Sequence, residues 1–459
     1  MTAALTFSDQ LPEPLFWGLL ALAGATVAGI VIHLIWSNFV SPNGKGIASH
    51  LGFPNLHNVA FVVAVLLWSG LTLLLTSSLF GLILSTLELS GNGKDDRFYV
   101  LRIGGLTAVV VAVIALPFTV IRLRLTQEQT ETARESLFND KINEATKGLY
   151  ARRQVTKAVS PGGSYRLHQD FWQDDIVQRN AAIDRLEGLA QEKPTEVPRI
   201  ARLLSVYVRE LSAEVPSQDP PIDATPDELW DWAQSLPKLR SDMEKAAQTL
   251  GRLAVMAPAP LTNGEIDLRA ANLQRADLIK ATLEKAWLQG AQMQGADLGG
   301  AQIQGADLEG ARMQGADLGG AQMQRANLKE ARMQRANLKG ARMQGANLKG
   351  ARMQGADLST ARIQGADLDR AQFDSATLLT AAILRGTAVR RIDFTNKSQF
   401  NTHLDDIFGD ATSTPPNRAR PDDNHWPKHW VKLRLSDDNF NKAWRIWQAT
   451  LPPGWDKID

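Results

Sequence analysis

The chain has 459 residues, with 50 Lys+Arg against 49 Asp+Glu, a formal net charge of +1 and no cysteine. At about 150 residues per domain the length gives roughly three domains, and the charge balance excludes a chain-wide basic or acidic surface while leaving room for local patches. The absence of Cys excludes disulfides, thiolate zinc sites, iron–sulfur clusters and thiol nucleophiles, and it fits a reducing compartment.

Three apolar runs occupy the first quarter of the chain: 14–36, 59–87 and 103–121. All three are long enough to cross a bilayer core, which takes about 20 apolar residues, and none contains Asp, Glu, Lys or Arg. No Lys or Arg precedes the first run, and two more runs follow it, which argues against a cleaved signal peptide. Residues 1–125 are therefore predicted to be a membrane anchor with three transmembrane helices. Residues 1–13 carry no Lys or Arg, whereas Arg122, Arg124 and Arg134 follow the third run. By the positive-inside rule the C-terminal part lies in the cytoplasm, with Lys94 and Arg97 pulling weakly the other way. His33, beside Trp36, is the lone ionisable side chain in these runs and reads as an interfacial residue, not as part of a conduction path.

Residues 126–258 are predicted to be a cytoplasmic stalk and helical domain. Arg122 to Tyr150 contains no Pro and should continue the third membrane helix as the stalk. Pro161-Gly162-Gly163 breaks the chain. Apolar residues at helical spacing, such as Ile176, Ile183, Leu186 and Ile200, Leu204, Tyr207, Leu211, predict helices over 169–191, 196–213 and 226–254. Asp227 and Glu228 after Pro226 mark the start of the last one. This pattern is that of a packing domain without a catalytic site.

From Ile266 the period changes to five. Leu268, Leu273, Leu278 and every fifth residue onward to Ile383 are large and apolar, about 24 repeats. Ala stands two residues before each centre from Ala271 to Ala381. A period of five fits neither a helix nor a strand. It needs a chain that turns a corner every five residues, with the Ala and the large residue inward and the other three outward. The predicted core includes Leu298, Leu308, Leu318, Leu328, Leu338, Leu348, Met333, Met353 and, at the last full coil, Phe373. The Met column reads as flexible gap filling, not as a metal site.

These repeats, with the motif A(D/N)LXX, resemble the pentapeptide-repeat family. The resemblance implies a right-handed quadrilateral β-helix over 262–385 with four repeats per coil, hence about six coils and a rod roughly 29 Å long at ~4.8 Å per coil. The fold class is then α plus β-solenoid: transmembrane helices, a helical middle region, the β-helix and a small C-terminal capping region over 386–459.

If residues twenty apart stack, the outward charges sort by face. The faces of Leu268 and Leu278 sum to about −2 each, and those of Leu273 and Leu283 to about +4 each. Arg312, Arg332, Arg335 and Arg352 fall on one basic face; Arg325, Arg342 and Arg362 fall on the opposite one. Both carry Gln ladders. They are the candidate interaction faces, for an acidic partner; the competing reading is a solvated surface that satisfies its own ladders.

An open coil end needs a cap. Asn401–Phe408, or the segment with Trp426, Trp430, Trp444, Trp447 and Trp455, could supply it. His425 and His429 stand four apart, but without carboxylate or thiol partners at ligand spacing they read better as a pair packed beside Trp than as a metal site.

The segments IRLRLTQEQTETARESLFNDKI, NAAIDRLEGLAQEKPTEVPRIARLLSVYVREL and AAQTLGRL, and the tail IDFTNKSQFNTHLDDIFGDAT with HWPKHW, are similar to bacterial membrane-anchored pentapeptide-repeat proteins. That resemblance implies a multi-pass protein of the bacterial inner membrane, with the C-terminal part cytoplasmic. The expected function is a membrane-anchored scaffold or adaptor that presents the rod for protein–protein interaction. No catalytic residues, metal or cofactor are expected. The partners are the lipid bilayer and a protein not identifiable from sequence; a homo-oligomer is compatible, and nucleic acid is not expected. One alternative is an effector that binds an acidic macromolecule on the Arg/Gln faces. The other is a DNA mimic acting on gyrase, as some family members are; those rods are acidic, whereas this one sums to about +4.

Overall fold

The computed structural model describes residues 67–76, 78, 96–159, 167–261, 264–395 and 397–455. The predicted span 14–36, His33, most of 59–87 and the Pro161-Gly162-Gly163 break lie outside the described residues. The chain divides into two compact units, 1–139 and 140–459.

In the first unit, α1 (Leu67–Thr76) and the start of α2 (Asp96–Leu149) are apolar helices. The Trp68 indole N–H donates to the Val113 carbonyl at 3.0 Å. α2 runs unbroken for 54 residues, about 80 Å at 1.5 Å per residue. Among the described residues it supplies the one helix long and apolar enough to cross a membrane, Thr107–Leu149. Thr119 and Thr126 return their hydroxyls to the carbonyls of Ala115 and Arg122, which satisfies them within the helix.

The second unit takes in the last turns of α2 and then an antiparallel strand pair, β1 (Arg152–Val159) and β2 (Leu167–Asp174), in the register Arg152↔Asp174 to Val159↔Leu167. The predicted helix over 169–191 is thus corrected at its start. Residues up to Asp174 pair with β1, and α3 (Ile176–Glu192) begins only where Asp175 accepts from the Gln178 N–H at 3.1 Å. α4 (Val197–Glu214) follows a short turn through Pro194. The predicted single helix 226–254 is two: α5 (Pro226–Ser235) and α6 (Ser241–Met256). Pro237 forces Leu236 out of the helical region, to φ −57 and ψ 143. α5 starts with a full capping box, Thr225 and Glu228 each meeting the other's backbone N–H.

α3, α4 and α6 pack on one another around Ile183, Leu186, Ile200, Leu204, Met243 and Leu250. At their edge the buried Asp242 accepts from the Tyr207 hydroxyl at 2.8 Å and from Arg240 at 2.7 and 2.9 Å. Asp174 takes Arg179 at 2.7 Å and Arg240 at 2.9 Å, so the end of the hairpin is tied to α3 and to the start of α6. Burial, then the charge of Asp242, pushes the Tyr207 hydroxyl above its ordinary range.

The rod begins at Ile266. Parallel bridges join residues twenty apart, from Asp267↔Trp287 to Arg352↔Gln372, which is four five-residue repeats per coil. Each centre N–H donates to the next coil, as Leu268 to Trp287 O at 2.8 Å, and each turn closes locally, as Ala271 N–H to Leu268 O at 3.1 Å. The second residue after each centre has positive φ, so Gly recurs there; Arg275 and Arg335 hold the same conformation at φ 57. The first coil has no coil before it to accept its N–H groups. Helical side chains meet three of them: Asp267 N–H donates to Ser205 Oγ at 3.2 Å, Asn272 N–H to Ser212 Oγ at 2.8 Å, and Asp277 N–H to Glu244 Oε1 at 3.0 Å.

The strict period ends at Phe373. From Asp357↔Leu378 the spacing of most bridges is twenty-one. The expected centres Leu378 and Ile383 are exposed, and Leu379 and Leu384 take the inward column instead. Thr377 and Ala382 replace the exposed Ala376 and Ala381 in the small column. The extra residue sits in a turn built on Asp374, whose Oδ1 accepts from the N–H groups of Gly355, Ala376 and Thr377 at 2.9, 3.1 and 2.9 Å. Pairing also runs past the predicted boundary at Arg385. β3 (Thr387–Ala388) pairs in parallel with β4 (Ile407–Phe408), and Asp393↔Thr414 and Asp410↔Val431 continue the ladder. Phe400, from a short 3-10 turn, packs on Phe373 and Phe394 at 5.0 and 4.6 Å between ring centroids. α7 (Asp437–Gln448) lies against Phe408 through Phe440 and Trp447.

Candidate interaction face

The residues expected in the core, Leu298, Leu308, Leu318, Leu328, Leu338, Leu348, Met333, Met353 and Phe373, are all buried. The candidate arginines divide between two sides of the rod. Asn272, Gln292, Arg312, Arg332, Arg352 and Gln372 stack in one column, and Thr282, Gln302, Gln322, Arg342 and Arg362 in another. Between them run columns that contain Asp267, Asp307 and Asp367 on one side and Asp277, Asp297, Asp317 and Asp357 on the other.

The first basic face is not bare. The segment that leads into α5, and α5 itself, lie on it. Gln218 and Gln274 exchange two hydrogen bonds, Gln218 N–H to Gln274 Oε1 at 2.9 Å and Gln274 Nε2 to Gln218 O at 2.8 Å. Arg312 pairs with Asp219 at 2.8 Å, and Arg335 pairs with Asp227. Arg275 donates to the carbonyl and side chain of Gln234 at 3.0 and 2.6 Å. Gly295 and Gly315 admit α5: a Cβ on Gly295 would come within 2.6 Å of Ala233 O, and one on Gly315 within 3.1 Å of Ala233 Cβ. Sequence reasoning missed this occupant. The signal was there, in the acidic run Asp219, Asp223, Asp227, Glu228 and Asp231 just before a basic face.

Beyond α5 the column changes character. Arg332 is half-buried between Arg312 and Arg352, and burial together with these two like charges lowers its guanidinium pKa. Arg352 is exposed. Among the described residues neither has a carboxylate partner. Gln314, Gln334 and Gln354 leave their amide oxygens without a donor.

On the opposite face Gln304 donates to Gln322 at 3.0 Å, and the far end is covered by the tail. Trp444 and Gln448 donate to Gly386 O at 2.7 and 2.8 Å, and Arg385 pairs with Asp406 at 3.1 Å. Among the described residues no group of three His, Asp or Glu side chains is placed to hold a metal ion. His429 stacks on Trp447 at 5.1 Å and its Nε2 meets Ile407 O at 2.7 Å, a packing role.

The family model described as pentapeptide repeats matches in 8 copies, over residues 266–305, 301–340 and 341–378. Among curated proteins none matches the chain. Similar solved structures include the pentapeptide-repeat protein Rfr23 of the cyanobacterium Cyanothece 51142, with 30% identity over 22% of this chain and a TM-score of 0.18. HetL of Nostoc sp. strain PCC 7120, a pentapeptide-repeat protein involved in heterocyst differentiation regulation, has 24% identity over 33% of this chain and a TM-score of 0.20. QnrB1, a plasmid-mediated fluoroquinolone resistance protein, has 15% identity over 38% of this chain and a TM-score of 0.23. The chain spans 64% of the length of Rfr23, 86% of HetL and 84% of QnrB1. At such TM-scores the assignment rests on the repeat sequence and on the twenty-residue coil, not on these likenesses. Residues 266–378 match the pentapeptide-repeat family model, and their twenty-residue coil fits it.

Proposed function

We propose that this protein is a non-catalytic scaffold, anchored in the bacterial inner membrane by its N-terminal apolar helices, with the rod on the cytoplasmic side as a surface for protein–protein interaction. The observation that carries the reading is the acidic segment of the chain itself, bound along one outward face by backbone-to-Gln and carboxylate-to-Arg pairs. A face that already holds a peptide segment is suited to hold others. The apolar part of α2, and Arg122, Arg124 and Arg134 after it, support the anchor and its orientation. The basic excess of the rod favours this reading over mimicry of DNA.

Crosslinking in native membranes followed by mass spectrometry tests the scaffold. Reproducible protein crosslinks on the rod are the expected result. A purified chain that captures no protein yet turns over a substrate overturns the proposal. Reporters fused before Leu11 and after Thr126 should report opposite sides of the membrane. A periplasm-only reporter active after Thr126 reverses the orientation.

A further inference from the structure

The Arg312–Arg332–Arg352 column places identical guanidinium groups on successive coils, ~4.8 Å apart. Like charges at that spacing repel unless anions lie between them. Arg312 has Asp219. Arg332 and Arg352 have each other, and among the described residues no carboxylate reaches them. The column is thus neutralised at one end and left in positive excess at the other.

The covered end indicates what chemistry this face accepts. Its occupant is polypeptide, held in two ways: carboxylates on Arg312 and Arg335, and a backbone amide exchanging donor and acceptor with Gln274. The uncovered end repeats both kinds of group. Arg332 and Arg352 offer donors to carboxylates. Gln334 and Gln354 continue the ladder of Gln274, with amide oxygens buried and without a donor, as they are at Gln314 beneath the cover and at Gln324, Gln344 and Gln364 on the opposite face. Asp219 on Arg312, in the same column, shows that a polypeptide carboxylate fits between these guanidinium groups and solvent.

We propose that the Arg332–Arg352 step is a docking site for an acidic peptide segment of a partner protein, laid on the same face as the chain's own Gln218–Ser235. Alternate residues of an extended segment are ~6.6 Å apart on one side. The rotatable stems of Glu close the difference to the arginine spacing. The site is exposed at Arg352, so binding falls as salt screens it. This inference rests on the scaffold reading and names the chemistry of its partner.

The test uses the full-length chain in detergent and a fluorescent hexaglutamate peptide, read by anisotropy, with hexaglutamine as control and tripolyphosphate as competitor. Hexaglutamate should bind and hexaglutamine should not. The double variant Arg332→Gln/Arg352→Gln should weaken hexaglutamate binding at least tenfold with unchanged circular dichroism. Arg325→Gln/Arg362→Gln, on the opposite face, should leave it within twofold. If the first variant fails to fold, Arg332→Lys/Arg352→Lys keeps the charge and should still weaken binding, because the bidentate fork is gone. No hexaglutamate binding, equal binding by the Arg332/Arg352 variants, or displacement by tripolyphosphate at the same charge concentration as unlabelled peptide overturns the proposal. Loss of this site with native crosslinks elsewhere on the rod rejects the site alone. Absence of all crosslinks rejects the scaffold reading.

Discussion

The coils from Leu268 to Phe373 and those after Asp374 both pair in parallel from coil to coil but are held differently. In the first set one rule recurs: each centre buries a large side chain, the corners through Arg370 take positive φ, and the backbone N–H groups donate in a repeated pattern to the next coil, the previous coil or the local turn. In the second set individual polar pairs do much of the work. Asp374 gathers three N–H groups at the inserted residue. Arg390, nearly buried, pairs with Asp437 at 2.6 Å and with the fully buried Asp410 at 3.5 Å, and it lies over Phe440. Arg391 pairs with Asp369. The difference teaches that a solenoid tolerates a shift of frame where side chains replace the repeated backbone pairing.

Breaking the regular set should cost most. Leu328→Arg buries a charge without a partner among stacked Leu and Met, and it should destabilise the rod by several kcal/mol, on the order of 5. Denaturant unfolding followed by circular dichroism would check it; a wild-type midpoint would mean that the inward column is misassigned.

Breaking the irregular set should cost somewhat less and stay local. Arg390→Ala strands Asp410 without its guanidinium, a loss of about 3–5 kcal/mol. Hydrogen exchange should speed up over 387–431 while the coils before Phe373 keep their protection. Uniform loss across the rod would show the two sets to be one cooperative unit.

The frame shift itself can be read from a pair of variants. Leu379→Ala empties an inward position and should cost about 2–4 kcal/mol. Leu378→Ala changes a half-exposed side chain and should cost ~0.5 kcal/mol or less. The reverse order would restore the unbroken five-residue period.

The smallest effect compares the two ends of the rod in acid. At the first coil the hydrogen bond from Arg269, helped by Arg209, holds the Asp267 carboxyl below its ordinary value of 3.8. At the last coils Arg390, then Arg391, does the same for Asp437. A carboxylate whose folded pKa is lowered stabilises the fold above its unfolded pKa and loses that contribution as pH falls through the folded one. Stability should therefore be level above about pH 5 and decline below pH ~4. Asp267→Asn and Asp437→Asn should each flatten the decline in a thermal melt series, and a decline unchanged in both would remove these pairs from the account.

The sequence alone determined the repeat, its period and the two arginine columns, because an inward side chain must return to the same place on each side of a four-sided coil. It also carried the packing helices of the middle region, whose apolar residues keep helical spacing. It did not carry the frame after Asp374. Leu378-Leu379, Ile383-Leu384 and Ala381-Ala382 are apolar doublets that fit either frame, and the turn on Asp374 made the choice. The hairpin 152–174 was likewise hidden, since each strand needs the other before it has a partner. The cover on the first basic face had only the acidic run from Asp219 to Asp231 as a signal, and tertiary structure decided where that run lies. Asp219 and Arg312 are 93 residues apart in sequence, and only the stacking of coils beside α5 brings a carboxylate from one to the guanidinium of the other.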